Sequence, residues 1–239
     1  MTAQLFQQDP YLREAPATVT GLTFEGGIVL DQTVFYATGG GQPGDSGVLR
    51  WGSQSIGIAS AVKGDDGAIV LIPAEPARLP AVGTPVVQTL DWERRHRHMR
   101  MHTALHLLSV VIPLPVTGGA IMADRGRLDF MMPEPPNNKD ALEDRLNMLI
   151  DRDMPVTEKW ISEAELDANP GLVKTLSVKP PRGSGRVRLV QIGTSDAVID
   201  IQPCGGTHVA RTGEIGAIRI GKIENKGKQN RRVSLVFDA

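Results

Sequence analysis

Cysteine is almost missing from this chain: Cys204 stands alone among 239 residues. One thiol excludes an internal disulfide, and with it a disulfide-stapled scaffold or a four-cysteine zinc ribbon. Aromatic residues number only ten, which leaves few platforms on which single-stranded RNA bases could stack. Net charge is close to absent at −1, so the whole-chain balance gives no hint of a nucleic-acid partner. No window approaches about 18 uninterrupted apolar residues. The segment Met1–Tyr11 has no basic patch followed by an apolar run. These absences predict no membrane span and no secretion signal, with the cytoplasm as the default location. What remains is a 41% hydrophobic complement, enough to bury a core in one large domain or two modest ones.

The small net charge conceals a cancellation. Residues 1–90 sum to −4, residues 91–239 to +3, and residues 172–239 alone to +7, with 12 basic and 5 acidic side chains. The acidic front reads as all-β. Its short strand-like stretches are Ala17–Phe24, Gly27–Leu30, Gly47–Trp51, Ser55–Val62 and Ala68–Ile72, separated by glycine or acidic turns. Residues 63–67 (Lys-Gly-Asp-Asp-Gly) read as a hairpin loop. Strands this regular in a small segment predict a compact barrel over residues 1–90. Pro73, Pro76, Pro80 and Pro85 then predict a rigid, extended passage to a second domain, residues 91–239. That domain opens with Asp91 as a helix N-cap, followed by a run free of Gly and Pro from Trp92 to Ile112. Asn138–Arg152 and Ser162–Ala168 predict further helices. After them, β-branched alternation predicts strands at Arg186–Ile192, Ala197–Ile201, Ile215–Ile223 and Arg232–Phe237. Helices followed by antiparallel-looking strands give an α+β class with an antiparallel sheet, since alternating βαβ units are missing.

His102 and His106 stand four residues apart in the first helix, so both imidazoles leave from one face and can share a metal ion. Taken alone, such a pair is as readily two partly buried structural histidines. A second pair, Cys204 and His208, closes the Pro203-Cys204-Gly205-Gly206-Thr207-His208 segment, where two glycines permit a tight backbone path. Free cysteines are more often small buried hydrophobes. Yet three of the five histidines and the only cysteine fall into two spaced pairs, which points to metal. Thiolate and imidazole ligands favour zinc over magnesium or calcium. Four protein ligands would close the site, whereas three would leave the open position that hydrolysis requires, and the spacing does not choose between them. Thr103 stands where a zincin would carry glutamate, which disfavours a peptidase of that type. His96 and His98 flank Arg97 and are expected to face solvent or RNA.

Residues 38–47 hold a formal Gly-x-Gly-x-x-Gly match at Gly39, Gly41 and Gly44. A dinucleotide site is rejected, because Pro43, Gly44 and Gly47 break the chain where a helix should begin. The loop is then either a wide turn between strands or a loop whose amides approach a ligand, with Gln42 as a polar reader.

Together these residues resemble the AlaX family of free-standing alanyl-tRNA editing proteins, and equally the editing domain of alanyl-tRNA synthetase. The resemblance runs through residues 33–36 and 39–47, His102-Thr103-Ala104-Leu105-His106 and Arg127-Leu128-Asp129-Phe130. It continues through residues 204–208, 213–216, 222–227, Arg231 and Arg232, and so covers nearly the whole chain. The resemblance implies an N-terminal barrel carrying the glycine-rich loop (Gly39, Gly40, Gly41, Gln42), then a metal-binding editing domain. It implies zinc on His102, His106, Cys204 and His208, and hydrolysis of serine or glycine from mischarged alanine tRNA. A chain of this length has no room for an adenylation domain, so the editing would be in trans, without ATP. Gln42 matches the family's loop glutamine. Thr117 is the nearest match to its serine-sensing threonine, and Thr33 is a second hydroxyl candidate from the barrel. RNA contact is expected at Lys222, Lys226, Lys228, Arg231 and Arg232, joined by Arg94 and Arg95 and by Arg97 and Arg100. Two other classes stand beside this reading: a non-catalytic RNA-binding protein with structural zinc, and a zinc hydrolase of small esters or amides.

Overall fold

The computed structural model describes residues 1–175 and 185–238. Lys179 and Arg182, two charges of the basic rear, lie outside the described residues. The chain divides into two compact units, Met1–Arg97 and His98–Ala239. The division falls later than the expected boundary at residue 90, inside a helix.

Unit one contains β1 (Ala3–Gln4), β2 (Glu14–Leu22), β3 (Ile28–Leu30), β4 (Gln32–Thr33), β5 (Gly47–Trp51), β6 (Gln54–Lys63), β7 (Ile69–Pro73) and β8 (Pro85–Leu90). Six of these close a barrel in the order β2-β3-β7-β6-β5-β8, while β1 pairs in parallel with β4. Alternation supplies the core: Ala15, Ala17 and Val19 of β2 face inward with Ile28, Leu30, Leu49, Ile58 and Leu71. The hairpin expected at residues 63–67 joins β6 to β7, with Asp66 and Gly67 at positive φ. The proline passage needs correction. Its last part, Pro85–Leu90, is no linker but the strand that closes the barrel, pairing with both β2 and β5. Pro85 is the first residue of that strand, where a missing N–H is tolerated.

Helix α1 (Trp92–Val111) carries the unit division within it. Asp91 caps it, accepting the Arg94 N–H at 3.2 Å. Unit two continues with β9 (Val116–Ile121), β10 (Arg125–Met131), α2 (Lys139–Asp151), β11 (Val156–Ser162), α3 (Glu163–Ala168), β12 (Arg186–Thr194), β13 (Ala197–Pro203), β14 (Ile218–Asn225) and β15 (Asn230–Phe237). The strands form two antiparallel sheets, β14-β15-β10-β9 and β11-β12-β13. The α+β class is the observed one. Asn138 caps α2 and Ser162 caps α3 in a capping box with Glu165. No helix among the described residues is long and apolar enough to cross a membrane.

Candidate metal centre

Helix α1 delivers His102 and His106 one turn apart, with ring centroids 5.3 Å from each other. The loop leaving β13 delivers Cys204 and His208. The ring of His208 lies 4.2 Å from that of His102 and 4.6 Å from that of His106. One ligand atom from each of the four residues falls within 4.8 Å of the others. Sγ of Cys204 is 3.4 Å from Nε2 of His102 and 3.3 Å from Nε2 of His208. Metal–nitrogen bonds of about 2.0–2.1 Å and a metal–sulfur bond of about 2.3 Å place neighbouring tetrahedral ligands about 3.3–3.7 Å apart. Both sulfur–nitrogen distances match that spacing, and the four residues are close enough to hold a metal ion.

The surroundings prepare those donors. Burial of Cys204 opposes its ionisation, but His102 and His208 overcome that and hold the thiol well below its ordinary range. The backbone N–H of Gly206 reaches the same sulfur at 3.4 Å. Burial, then the adjoining charge of His102, push His208 well down, which keeps a neutral ring. Nδ1 of His208 lies 3.1 Å from the Thr103 hydroxyl, which itself donates to the Met99 carbonyl at 2.9 Å. His106 behaves oppositely. Burial works against its proton, yet the hydrogen bonds to Asp200 and Cys204 raise it to about 9 in the absence of metal. Asp200 is held at about 2 by His106 and Lys174, against the effect of its own burial.

Several of these partners escaped the sequence reading. Thr103, read only as the missing glutamate, fixes His208. Asp200, Gln202 and Cys204 alternate along and just beyond β13, so period-two alternation could have placed them on one face. Arg188 had no local signal; its guanidinium donates to the carbonyls of Cys204 and Gly206, both at 2.8 Å, and pairs with Glu158. This arginine shapes the loop where glycine freedom was expected to do so. Neither Gly205 nor Gly206 has positive φ, and a Cβ on Gly205 would meet nothing within 4 Å.

Residues 187–234 match the family described as the threonyl and alanyl tRNA synthetase second additional domain, and residues 12–94 match class II (A) tRNA synthetases. The chain is 36% identical to the alanyl-tRNA editing protein AlaX-M of Methanosarcina acetivorans, over 98% of both chains. The chain belongs to the AlaX family. It is also 37% identical to AlaX-M of Methanosarcina mazei, over 98% of this chain and 95% of the relative. To the alanine–tRNA ligase of Pyrobaculum calidifontis it is 38% identical over 93% of its own length, but it spans only 25% of that ligase.

The other AlaX-like positions have definite places. In unit one, Gln42 is fully buried, and its backbone pairs in both directions with Gly39 at 3.0 Å. Gly40 and Gly41 are exposed with positive φ, and the loop is followed by strand β5, not a helix. The Thr33 hydroxyl donates to Oε1 of Gln88 at 2.8 Å and accepts the Phe35 N–H at 3.1 Å. In unit two, the Thr117 hydroxyl lies 3.1 Å from the Asp129 carbonyl and 2.9 Å from Oδ1 of Asn230, one of which accepts its single proton.

The basic residues divide. Lys222, Lys226 and Lys228 are exposed on β14 and the turn after it. Arg231 folds its guanidinium onto Asn225, Gly227 and the Pro133 carbonyl, and Arg232 grips both carboxylate oxygens of Asp129 at 2.8 and 2.9 Å. Arg94 is half-buried and donates to the Gly44 carbonyl at 3.1 Å. Arg95 is a correction. It is fully buried, ion-paired with Asp45 and hydrogen-bonded to the carbonyls of Pro10 and Val34, so it cannot touch RNA. His98, expected at the surface, is buried too, and His96 stacks on Trp92 at 5.3 Å.

Proposed function

We propose that this AlaX-family chain is a zinc-dependent deacylase acting in trans on mischarged alanine tRNA, with Ser-tRNA(Ala) as its first substrate and Gly-tRNA(Ala) as its second. The observation that carries the reading is the convergence of His102, His106, Cys204 and His208 in a chain that AlaX-M relatives match from end to end. Thiolate and imidazole donors select zinc. When bound, zinc supplies Lewis acidity toward an ester carbonyl or a water near neutral pH. The chain's own part would be to hold that ion with donors drawn from Cys204, His102, His106 and His208, one of the four leaving the position that hydrolysis requires open.

Selecting serine over alanine cannot rest on size, since alanine is the smaller. The site must reward the serine hydroxyl, and must leave a polar group unpaired when alanine enters. Thr117, in the unit that carries the metal cluster, is the proposed reader; Gln42 and Thr33 are corrected, because both are buried within unit one, where a substrate hydroxyl does not reach them. Thr117 already directs its single proton within unit two, so it would meet a serine hydroxyl as an acceptor. Lys222, Lys226 and Lys228 are proposed phosphate contacts, and an aminoacyl-tRNA substrate puts the work in the cytoplasm.

Release of serine from Ser-tRNA(Ala), compared with Ala-tRNA(Ala) and with a chelator present, tests the reading. Serine is expected to be released rapidly, alanine slowly, and neither after chelation. Cys204→Ala is expected to stay folded and lose serine release by at least two orders of magnitude. Intact Ser-tRNA(Ala) after incubation with metal-loaded wild type would end the proposal, and turnover of simple esters without tRNA would favour a small-ester hydrolase.

A further inference from the structure

The carboxylate of Asp200 is fully buried beside the cluster, and nothing in the proposed reaction uses it. Oδ2 of Asp200 lies 3.0 Å from Nδ1 of His106 and accepts from Nε2 of Gln202 at 2.8 Å. Oδ1 is paired with the ammonium of Lys174. The three partners come from α1, from β13 itself and from the segment after α3, so the carboxylate has little freedom to rotate. Lys174 is fixed in turn: its carbonyl accepts the Val116 N–H at 3.1 Å, and Thr175 bridges to Val116. A carboxylate on one imidazole nitrogen turns the other nitrogen outward as a lone-pair donor and sets the ring plane. In His106 that other nitrogen is Nε2, on the side of the cluster. A buried carboxylate facing only one histidine would be poorly compensated; the ammonium of Lys174 supplies the second charge.

We infer that Asp200, clamped by Lys174 and Gln202, is the positioning residue of the metal centre: it orients His106 as an Nε2 ligand, and Lys174 locks that orientation. The inference rests on the metal reading of the cluster and is independent of which ester the protein cleaves.

Zinc affinity, measured by competition with a chromophoric chelator, tests it on wild type, Asp200→Ala, Asp200→Asn, Lys174→Met and Lys174→Arg. Circular dichroism of each metal-free protein checks the fold. Asp200→Ala is expected to weaken zinc binding about 10- to 100-fold. Lys174→Met should weaken it less, and Lys174→Arg, which keeps the charge, should restore it. Cobalt-substituted Lys174→Met is expected to show shifted visible ligand-field bands, because the ring of His106 is no longer locked. Should Asp200→Ala fail to fold, Asp200→Asn and the Lys174 pair carry the test. Wild-type affinity and an unchanged cobalt spectrum in all folded variants would overturn the inference while leaving the metal site standing. A wild type that binds neither zinc nor cobalt would overturn both. Loss of deacylation without loss of metal affinity would separate the reaction from the clamp and count against it.

Discussion

Proton traffic at single side chains decides how the metal site responds to pH. Without metal, His106 holds its proton to about 9, while its neighbours hold the Cys204 thiol well below its ordinary range and burial pushes His208 down. A raised histidine stabilises the metal-free fold fully below its ordinary value of 6.5, and that contribution is lost as pH climbs through about 9. Metal takes Nε2 of the same ring as a lone pair, so the loaded protein gains nothing from that proton. The rise in Tm on adding zinc should therefore grow with pH up to about 9, by at most roughly 1.4 kcal/mol per pH unit in stability, and level off above. Calorimetric titration in buffers of different ionisation enthalpy should find more protons released at about pH 7.5 than at about pH 9.5, by up to one, as His106 loses its proton in between. Equal counts at the two pH values would show that His106 carries no raised proton. A second residue-scale expectation concerns Arg95. Replacing it with methionine strands the buried carboxylate of Asp45, which costs about 3–5 kcal/mol by denaturant titration and leaves tRNA contacts untouched.

Among the elements, the glycine-rich loop shows what its composition is for. A Cβ on Gly44 would sit 2.1 Å from the carbonyl oxygen of Ala61 and 2.8 Å from its nitrogen, both backbone atoms that cannot step aside. Gly40→Ala meets no neighbour and pays only for its positive φ of 58°, about 1–2 kcal/mol. Gly44→Ala should cost clearly more in an unfolding titration; equal losses would show that the loop does not need this close approach. Legibility in the sequence followed similar local rules. The helices could be read because Asp91, Asn138 and Ser162 are strong caps before helix-forming runs. The metal ligands could be read because rare residue types recur at set spacings. Strand β8 was hidden by the prolines before it. Strand β11 was hidden because most of it is exposed and shows no alternation, and β9 because two of its six residues are glycines. Asp200 and Lys174 lie 26 positions apart, and only the folded chain brings them together.

On the scale of the whole molecule, the charge asymmetry thins when partners are counted. Arg231 and Arg232 spend their guanidinium groups within unit two, and Arg95 spends its own within unit one. The exposed cations that face a phosphate backbone are led by Lys222 and Lys228, with Lys226 beside them in a loose 3.7 Å pair with Glu224. Neutralising these three together should lower the slope of log affinity for tRNA against log salt by about one unit for each phosphate contact removed. An unchanged slope would place the RNA elsewhere.

Helix α1 finally bears on how such proteins can be recombined. Its first turn supplies Arg95 to the core of one unit, while its later turns supply His102 and His106 to the other. A cut at residue 90, where the last barrel strand ends, would sever the barrel from the cation that balances Asp45. A fragment of residues 1–97 should fold where one of residues 1–90 does not. Any exchange of barrels between such chains must therefore carry the opening of the helix along, so the inheritable module ends inside a helix and not at a loop.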